Sequence, residues 1–465
     1  MIQAAKEPYV STTNACKLCK PLGAALVFRG VEGAVPFLHG SQGCATYMRR
    51  YIISHFREPM DIASSALSEK HAVFGGGPNL KKGLLTVMQK YGAKLVGVAS
   101  TCLTETIGDD MPGLVREFRN EFADLGLPEV VTVSTPSYSG THAEGFHAAV
   151  KALVEQLAVP DESGVPGESG ESGEAGLAVN LLPGFVSPAD IRYLAEIFDD
   201  FCLPVTILPD ISETLDGPAL DEYQKIPEGG TPIAAIRAMG RSAATIECGR
   251  TLFGVESAGE VLEKRRQVPL FKRGLPIGLR ETDSFFSVLE TLAGAQMPRR
   301  HALERGRLID AYVDAHKYLF GKRAVLYGEE DLVIGLTSFL TEIGVKPVLV
   351  ASGGNSGKLE EAVKSVTSGI LGEAPETAAG TDFYQIAARA KELAPDLIVG
   401  NSKGYRMAKE LDAPLVRAGF PIHDRFGGQR ILHLGYRGAQ ALLDTIVNAL
   451  LDKKQAGSEI GYGYI

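Results

Sequence analysis

Three cysteines stand where a chain can offer metal ligands, at the edges of apolar runs and among small residues: Cys19 in NACKLCKPLGA, Cys44 in HGSQGCATY and Cys102 in ASTCLTETIGDD. A thiolate in such a setting ligates soft metals, and nearby glycines let backbone N–H groups reach cluster sulfides and tune a reduction potential. The spacing of the three matches no compact iron–sulfur or zinc motif, so metal ligands and buried bystander thiols are equal readings of these residues taken alone. Cys16 makes a CxxC pattern with Cys19 and reads as a partly exposed thiol facing elsewhere. Cys202 in FCLPV and Cys248 in IECG lie in or beside strand-like apolar runs and read as core filling.

The elements that must position these residues alternate strand and helix. KLVGVAS (94–100) and VVTVST (130–135) are apolar runs of strand length, separated by the helix-patterned MPGLVREFRNEFADLG. LAVNLL (177–182) runs into a Pro-Gly turn, then SPADIRYLAEIFDDF with Ser187 and Pro188 at N-cap and first-turn positions, then PVTILPD, which makes a βαβ unit. AATIECG repeats the grammar, and RAVLYG, DLVIGLTSFLTEIG and KPVLVAS repeat it from residue 322 onward. PDLIVGNS (395–402) is a further buried strand and AQALLDTIVNALLDKK a closing helix. The expected fold is α/β, with three Rossmann-like, doubly wound domains on parallel sheets: 1–160 around the cysteines, 177–321, and 322–465 with the C-terminal helix. The stretch DESGVPGESGESGEAG (161–176) cannot bury apolar area and reads as a flexible linker or surface loop. Ligands in such folds sit beyond the carboxyl ends of the strands, which is where Cys102 falls.

Composition narrows the function. With 465 residues the chain has room for about three domains. Its 47 Lys and Arg against 56 Asp and Glu leave a formal charge of −9, which argues against nucleic acid or an anionic membrane surface as a partner. No apolar stretch approaches the roughly 20 residues of a membrane span. Six cysteines are too few for a secreted disulfide scaffold, and the opening MIQAAKEPYVSTTNACK has no charged and then apolar leader, so the expected location is cytoplasmic. No GxGxxG opens a helix after a strand and no GxxxxGK[ST] occurs, so the chain is not expected to bind a dinucleotide or hydrolyse ATP; HExxH is absent as well. FGGGPN and SGGNSG read as turns.

Five blocks carry a resemblance. NACKLCKPLGA, HGSQGCATYMRRYIISHFREP, DIASSALSE with AVFGG, STCLTETIGDD and TPSYSGTH occur in the order and at the spacing found in β-type subunits of nitrogenase component 1 and their relatives. GGTPIAAIRAMGRSAAT, LPIGLRETD, EEDLVIGL, GNSKG and GFPIHDRFGGQR extend it over most of the chain. The chain resembles that superfamily. The resemblance implies that Cys19, Cys44 and Cys102 ligate an iron–sulfur cluster at a face shared with an α-type subunit. That cluster would be a P-type [8Fe-7S] group completed by the partner, with [4Fe-4S] as the alternative. Ser137 matches a serine that approaches the cluster on oxidation; a hydroxyl capping the turn after Pro136 is the competing reading. No residue of this chain is assigned a catalytic role.

The resemblance also implies an α2β2 heterotetramer, in which the α-type subunit carries the substrate-reducing cofactor, and an ATP-hydrolysing iron protein as electron donor. His39, His55, His142 and His423 are expected to hydrogen-bond or to serve structure rather than ligate. Arg49, Arg50 and Arg57 are expected to steady an anionic cluster or to form a solvated helix face. Glu105, Asp109 and Asp110 are expected to cap helices and form ion pairs. Within the superfamily three roles compete. A nitrogenase-like reductase such as methylthio-alkane reductase, which cleaves C–S bonds, combines scaffold-like segments (LPDISETLDG, GGTPIAAIRAMGRSAAT) with a full thiol set. The β-type half of the cofactor-assembly scaffold shares those segments, although several scaffold chains lack cluster cysteines. A nitrogenase β subunit is the third, against which stand the same segments and the lack of the molybdenum enzyme's long N-terminal extension.

Overall fold

Aliphatic and β-branched runs, each closed by Gly, Pro or a small polar residue, become strands buried on both faces. The computed structural model describes residues 15–159 and 178–459; the 161–176 segment read as a linker lies outside them. The strands form three sheets. The first, in the order β2-β1-β3-β4, contains β1 (Ala34–His39), β2 (Ala63–Ser64), β3 (Leu95–Ser100) and β4 (Glu129–Val133). The second, in the order β6-β5-β7-β8, contains β5 (Val179–Leu182), β6 (Val205–Ile207), β7 (Ala244–Cys248) and β8 (Leu270–Arg273). The third, in the order β11-β10-β9-β12-β13, contains β9 (Arg323–Gly328), β10 (Lys346–Ser352), β11 (Glu376–Ala378), β12 (Leu397–Gly400) and β13 (Leu415–Arg417). All of these pairings are parallel, so helices supply the crossovers. The architecture is the expected one. No helix among the described residues is long and apolar enough to cross a membrane.

Strand β1 was not legible in AVPFLH, because a proline inside a run argues against a central strand. It is nonetheless central. Its neighbour β2 pairs only with Phe37 and Leu38, so Pro36 lies outside the part of β1 that β2 covers. Elsewhere local signals act as read: Ser187 Oγ accepts the Asp190 N–H at the start of the helix Pro188–Asp200, with Pro188 in its first turn.

The helix that Cys19 introduces, Lys20–Arg29, is fixed by glycines. Its Phe28 lies on Gly97 of β3, where a Cβ would sit 2.0 Å from the ring. Across from it, the helix His142–Leu153 approaches so closely that a Cβ at Gly23 would fall 1.8 Å from His142 O, and one at Gly145 would fall 1.9 Å from Lys20 O. Backbone meets backbone there, and the first turns of the two helices become one rigid unit.

A continuous hydrophobic core links the three sheets. At their junction Phe56, Phe185 and Phe420 pack together with His55 and His142, with ring centroids 4.5–5.9 Å apart. The space left between them and Asp190, Glu329 and His433 is about 30 Å³, little more than water-sized. Asp190 is fully buried and ties the second sheet to the C-terminal helix Gly435–Ala456, accepting the N–H groups of His433 (2.6 Å) and Leu434 (3.0 Å). Burial acts to raise its pKa, but the charge and hydrogen bonds of His433 hold it below the ordinary carboxylate value.

His55 is a pH sensor by the same logic. Burial pushes its pKa down to about 3, and Nδ1 accepts the Ile422 N–H at 2.9 Å, a bond that only the neutral ring can make. The unfolded chain therefore binds a proton near pH 6.5 that the folded chain excludes, so stability is intact above pH 6.5 and falls as pH drops toward 3. In urea unfolding at pH 7, 6 and 5, His55→Gln is expected to flatten the decline by up to about 1.4 kcal/mol per pH unit. Parallel declines in the two proteins would exclude His55 as the cause.

Candidate functional site

All three expected ligands sit at helix starts. Cys19 is the N-cap of Lys20–Arg29, Cys44 is the third residue of Gln42–Phe56, and Cys102 is the first residue of Cys102–Ile107. Backbone N–H groups lack intrahelical partners at these ends and are free to donate to sulfur. The ends of β1 and β3 bring two of the cysteines together. A Cβ at Gly40 would sit 2.2 Å from Thr101 Oγ1, and the hydroxyls of Thr101 and Thr104 both donate to His39 O at 3.0 Å. The turn before Cys44 is thus locked against the turn before Cys102. Gly43 beside Cys44 opens onto free space.

Ser137 joins Cys102 to the Cys19 helix. Its N–H donates to Cys102 Sγ (3.3 Å) and its Oγ accepts the Lys20 N–H (3.2 Å). The hydroxyl does not cap its own turn; Ser139 Oγ does, donating to Pro136 O at 2.9 Å. Ser41 Oγ lies 3.4 Å from Cys44 Sγ. Burial raises the Cys19 pKa, a hydrogen bond from Ser137 lowers it, and the like charges of Cys44 and Cys102 raise it again. The three sulfurs therefore feel one another. Among the described residues, however, no three His, Cys, Asp or Glu side chains gather tightly enough to ligate a single ion. The donor set, soft and mutually repelling, suits an extended metal cluster that supplies positive charge among the thiolates.

The other polar residues of the blocks do structural work. His39 is buried between Ser65 (3.0 Å) and Asp109 (3.1 Å); burial lowers its pKa, and Asp109 acts in the other direction. His142 Nδ1 accepts the Leu18 N–H at 3.3 Å, which leaves the proton on Nε2, 2.6 Å from Glu329. His423 is exposed and donates through its backbone N–H to Ser402 Oγ. Arg49 reaches Met60 O (2.7 Å) and Asp61 (3.3 Å), while Arg50 and Arg57 face solvent. Glu105 accepts from Ser100 and Ser134, Asp109 from Gly76 N–H, and Asp110 caps Met111–Glu121.

Two cysteines differ from expectation. Cys16 is buried rather than partly exposed, packed with Val325, Tyr327 and Phe383 of the third sheet region, and burial pushes its pKa up to about 12. Cys202 is exposed rather than core: the chain leaves the 188–200 helix through it with φ +55°, a left-handed turn and not a strand. Cys248 is core, as expected, with its pKa pushed up to about 12 by burial. Gly400–Gly404 carries the GxSxG spacing of a nucleophile elbow after β12, yet Ser402 is buried and its hydroxyl is committed to Asp424, with no histidine ring in reach to activate it.

Sequence reasoning gave no role to Lys403. It lies 386 positions from Lys17, whose carbonyl its Nζ approaches at 3.5 Å, and its ammonium sits 5.4 Å above the Tyr51 ring. Only its place in GNSKG signalled it, and no spacing rule connects that motif to Cys19.

Residues 19–451 match the family described as nitrogenase component 1 type oxidoreductase, and the chain belongs to that family. It is a β-type subunit of an oxidoreductase that works as an αβ complex, and subunits of this type hold the P-cluster. It is 35% identical over 444 residues to the nitrogenase molybdenum-iron protein beta chain of Clostridium pasteurianum, covering 95% of this chain and 93% of that one. It is 33% identical over 459 residues to the nitrogenase vanadium-iron protein beta chain of Trichormus variabilis (96% and 95%). To the nitrogenase iron-molybdenum cofactor biosynthesis protein NifN of a Nostoc species it is 32% identical over 445 residues (95% and 94%). Among solved structures, a chain of nitrogenase Cp1 at pH 6.5 superposes with a TM-score of 0.92 at 33% identity, covering 100% of this chain and 98% of that one.

Burial orders the free thiols. Iodoacetamide on the native protein at pH 8 is expected to alkylate Cys202 and to leave Cys16 and Cys248 unmodified until denaturant is added. Peptide mass spectrometry reads the order; native labelling of Cys248 would contradict the packing.

Proposed function

We propose that Cys19, Cys44 and Cys102 provide this chain's ligands to a P-type [8Fe-7S] cluster completed by the α-type subunit, and that the chain is the electron-relay half of a nitrogenase-like reductase. The observation that carries the reading is that three half-buried or exposed thiols stand on three helix starts within range of one another's charge, with Ser137 bonded toward two of them. When bound, the cluster supplies one-electron transfer at low potential. Helix starts and Ser137 hold the thiolates, Gly43 leaves room before them, and Ser137 Oγ is a hydroxyl placed to approach the group when its charge rises. The chain contains no P-loop, which fits an arrangement in which ATP hydrolysis belongs to a separate iron protein, the electron donor, docking on an α2β2 heterotetramer.

For the substrate, the reading that combines scaffold-like segments with a complete thiol set is reductive C–S cleavage of methylthio-alkanes: two electrons from the iron protein and two protons convert R–S–CH3 into methanethiol and R–H. Identity with NifN supports the assembly scaffold as the alternative, and identity with the nitrogenase beta chains supports nitrogenase itself. A scaffold subunit would carry a [4Fe-4S] cluster.

Anaerobic purification of the αβ complex tests the ligand reading. Cys44→Ala and Cys102→Ala are each expected to lose the iron of the shared cluster and its visible absorption while the complex still assembles. A variant that keeps wild-type iron would overturn it. Turnover with the iron protein, ATP and a methylthio-alkane then decides the substrate: methanethiol release supports the C–S reductase, and its absence alongside ammonia formation from dinitrogen assigns nitrogenase instead.

A further inference from the structure

We propose that Lys403 is a positioning residue for the cluster: it clamps the segment leading into Cys19 and sets a fixed positive charge between that segment and the helix of Cys44, raising the reduction potential of the bound group. The proposal rests on the reading of Cys19 as a ligand.

The backbone of Lys403 is held rigidly. It lies in the turn Ser402–Gly404 after β12, where Asn401 Oδ1 accepts its N–H (3.1 Å) and Asn401 Nδ2 donates to Phe420 O (3.1 Å). The next residue, Gly404, presses on Tyr327 so closely that a Cβ would fall 2.1 Å from the phenol oxygen, and Tyr327 in turn donates to Asn401 O. From this anchor the side chain crosses from the third sheet to the first. Its ammonium donates to Ala15 O (3.4 Å) and Lys17 O (3.5 Å) and covers the face of Tyr51, whose hydroxyl pairs with Tyr47 at 3.1 Å. The same segment is held from the third sheet by an antiparallel bridge between Ala15 and Asp382, and by Gly353, where a Cβ would meet Cys16 O at 2.3 Å.

The charge has no protein counterpart. Among the described residues no carboxylate lies within ion-pair distance of Lys403, although its ammonium is half-buried and satisfied only by carbonyls and a ring. The ammonium lies between the segment two residues before Cys19, at Lys17 O, and the helix that carries Cys44, over the Tyr51 ring. For an anionic, thiolate-bound cluster held at Cys19, a fixed cation nearby would favour the form with one more electron. Lysine at this place delivers its charge as a point and its donors to carbonyls.

Potentiometric titration of the αβ complex, with dithionite as electron donor and the cluster followed by EPR, tests this. Lys403→Met and Lys403→Gln are expected to keep wild-type iron and to lower the midpoint by up to a tenfold change in the oxidised-to-reduced ratio, about 59 mV for a one-electron couple. Lys403→Arg, which keeps the charge, is expected to stay at the wild-type midpoint. A wild-type midpoint in Lys403→Met with full iron would overturn the proposal. So would a shift in Met but not in Gln, which retains a donor for the carbonyls and would make the effect a clamp alone. Iron lost equally from all three variants would likewise reduce Lys403 to a structural tie. None of these outcomes bears on whether Cys44 ligates, which the cysteine variants decide separately.

Discussion

Three cysteine sulfurs are held on three helix starts near one another, and the packing of the first 150 residues fixes each of those starts. Each sulfur is placed at the start of a helix, where unpaired N–H groups and the aligned peptide dipoles offset negative charge. Each helix start is fixed by something outside the helix: the Gly23 and Gly145 close approach for Cys19, the turn after β1 for Cys44, and the turn after β3 for Cys102. An apolar chain end or a disulfide would close such a site. Here the cysteines remain free, and Cys44 and Cys102 border open space.

The face that carries Cys19, Cys44 and Cys102 belongs to the first sheet, but its stiffness comes from the third. Lys403, the Ala15–Asp382 bridge and the His142–Glu329 pair all reach across to the segment that carries Cys19. His142 is the hinge of this arrangement, because a single ring accepts the Leu18 N–H on one side and faces a carboxylate of the third domain on the other. The small cavity at the junction of the three sheets is lined by paired groups and packed rings.

Much of the fold was legible because it is written in local terms. Strands β3, β5, β7, β9, β10 and β12 follow from apolar runs closed by small residues, and the Ser187–Pro188 start from capping chemistry. Strand β1 was missed because Pro36 contradicts a central strand locally, and the short reach of β2 that accommodates it is a pairing fact. Cys202 misled in the same way: its apolar neighbours suggest a strand, while a left-handed turn after a helix carries it to solvent.

For the site, the sequence by itself determined the donors, through thiols beside glycines in blocks shared with a known family, and it determined the alternation that demands parallel sheets. Only the tertiary structure decided which thiols stand together, that Ser137 bonds between two of them instead of capping its turn, that Cys16 is sealed away, and that Lys403 reaches the Cys19 segment. Periodicity and capping act over a few residues, whereas electrostatic proximity and burial are sums over neighbours hundreds of positions distant, and no pattern in one dimension encodes them.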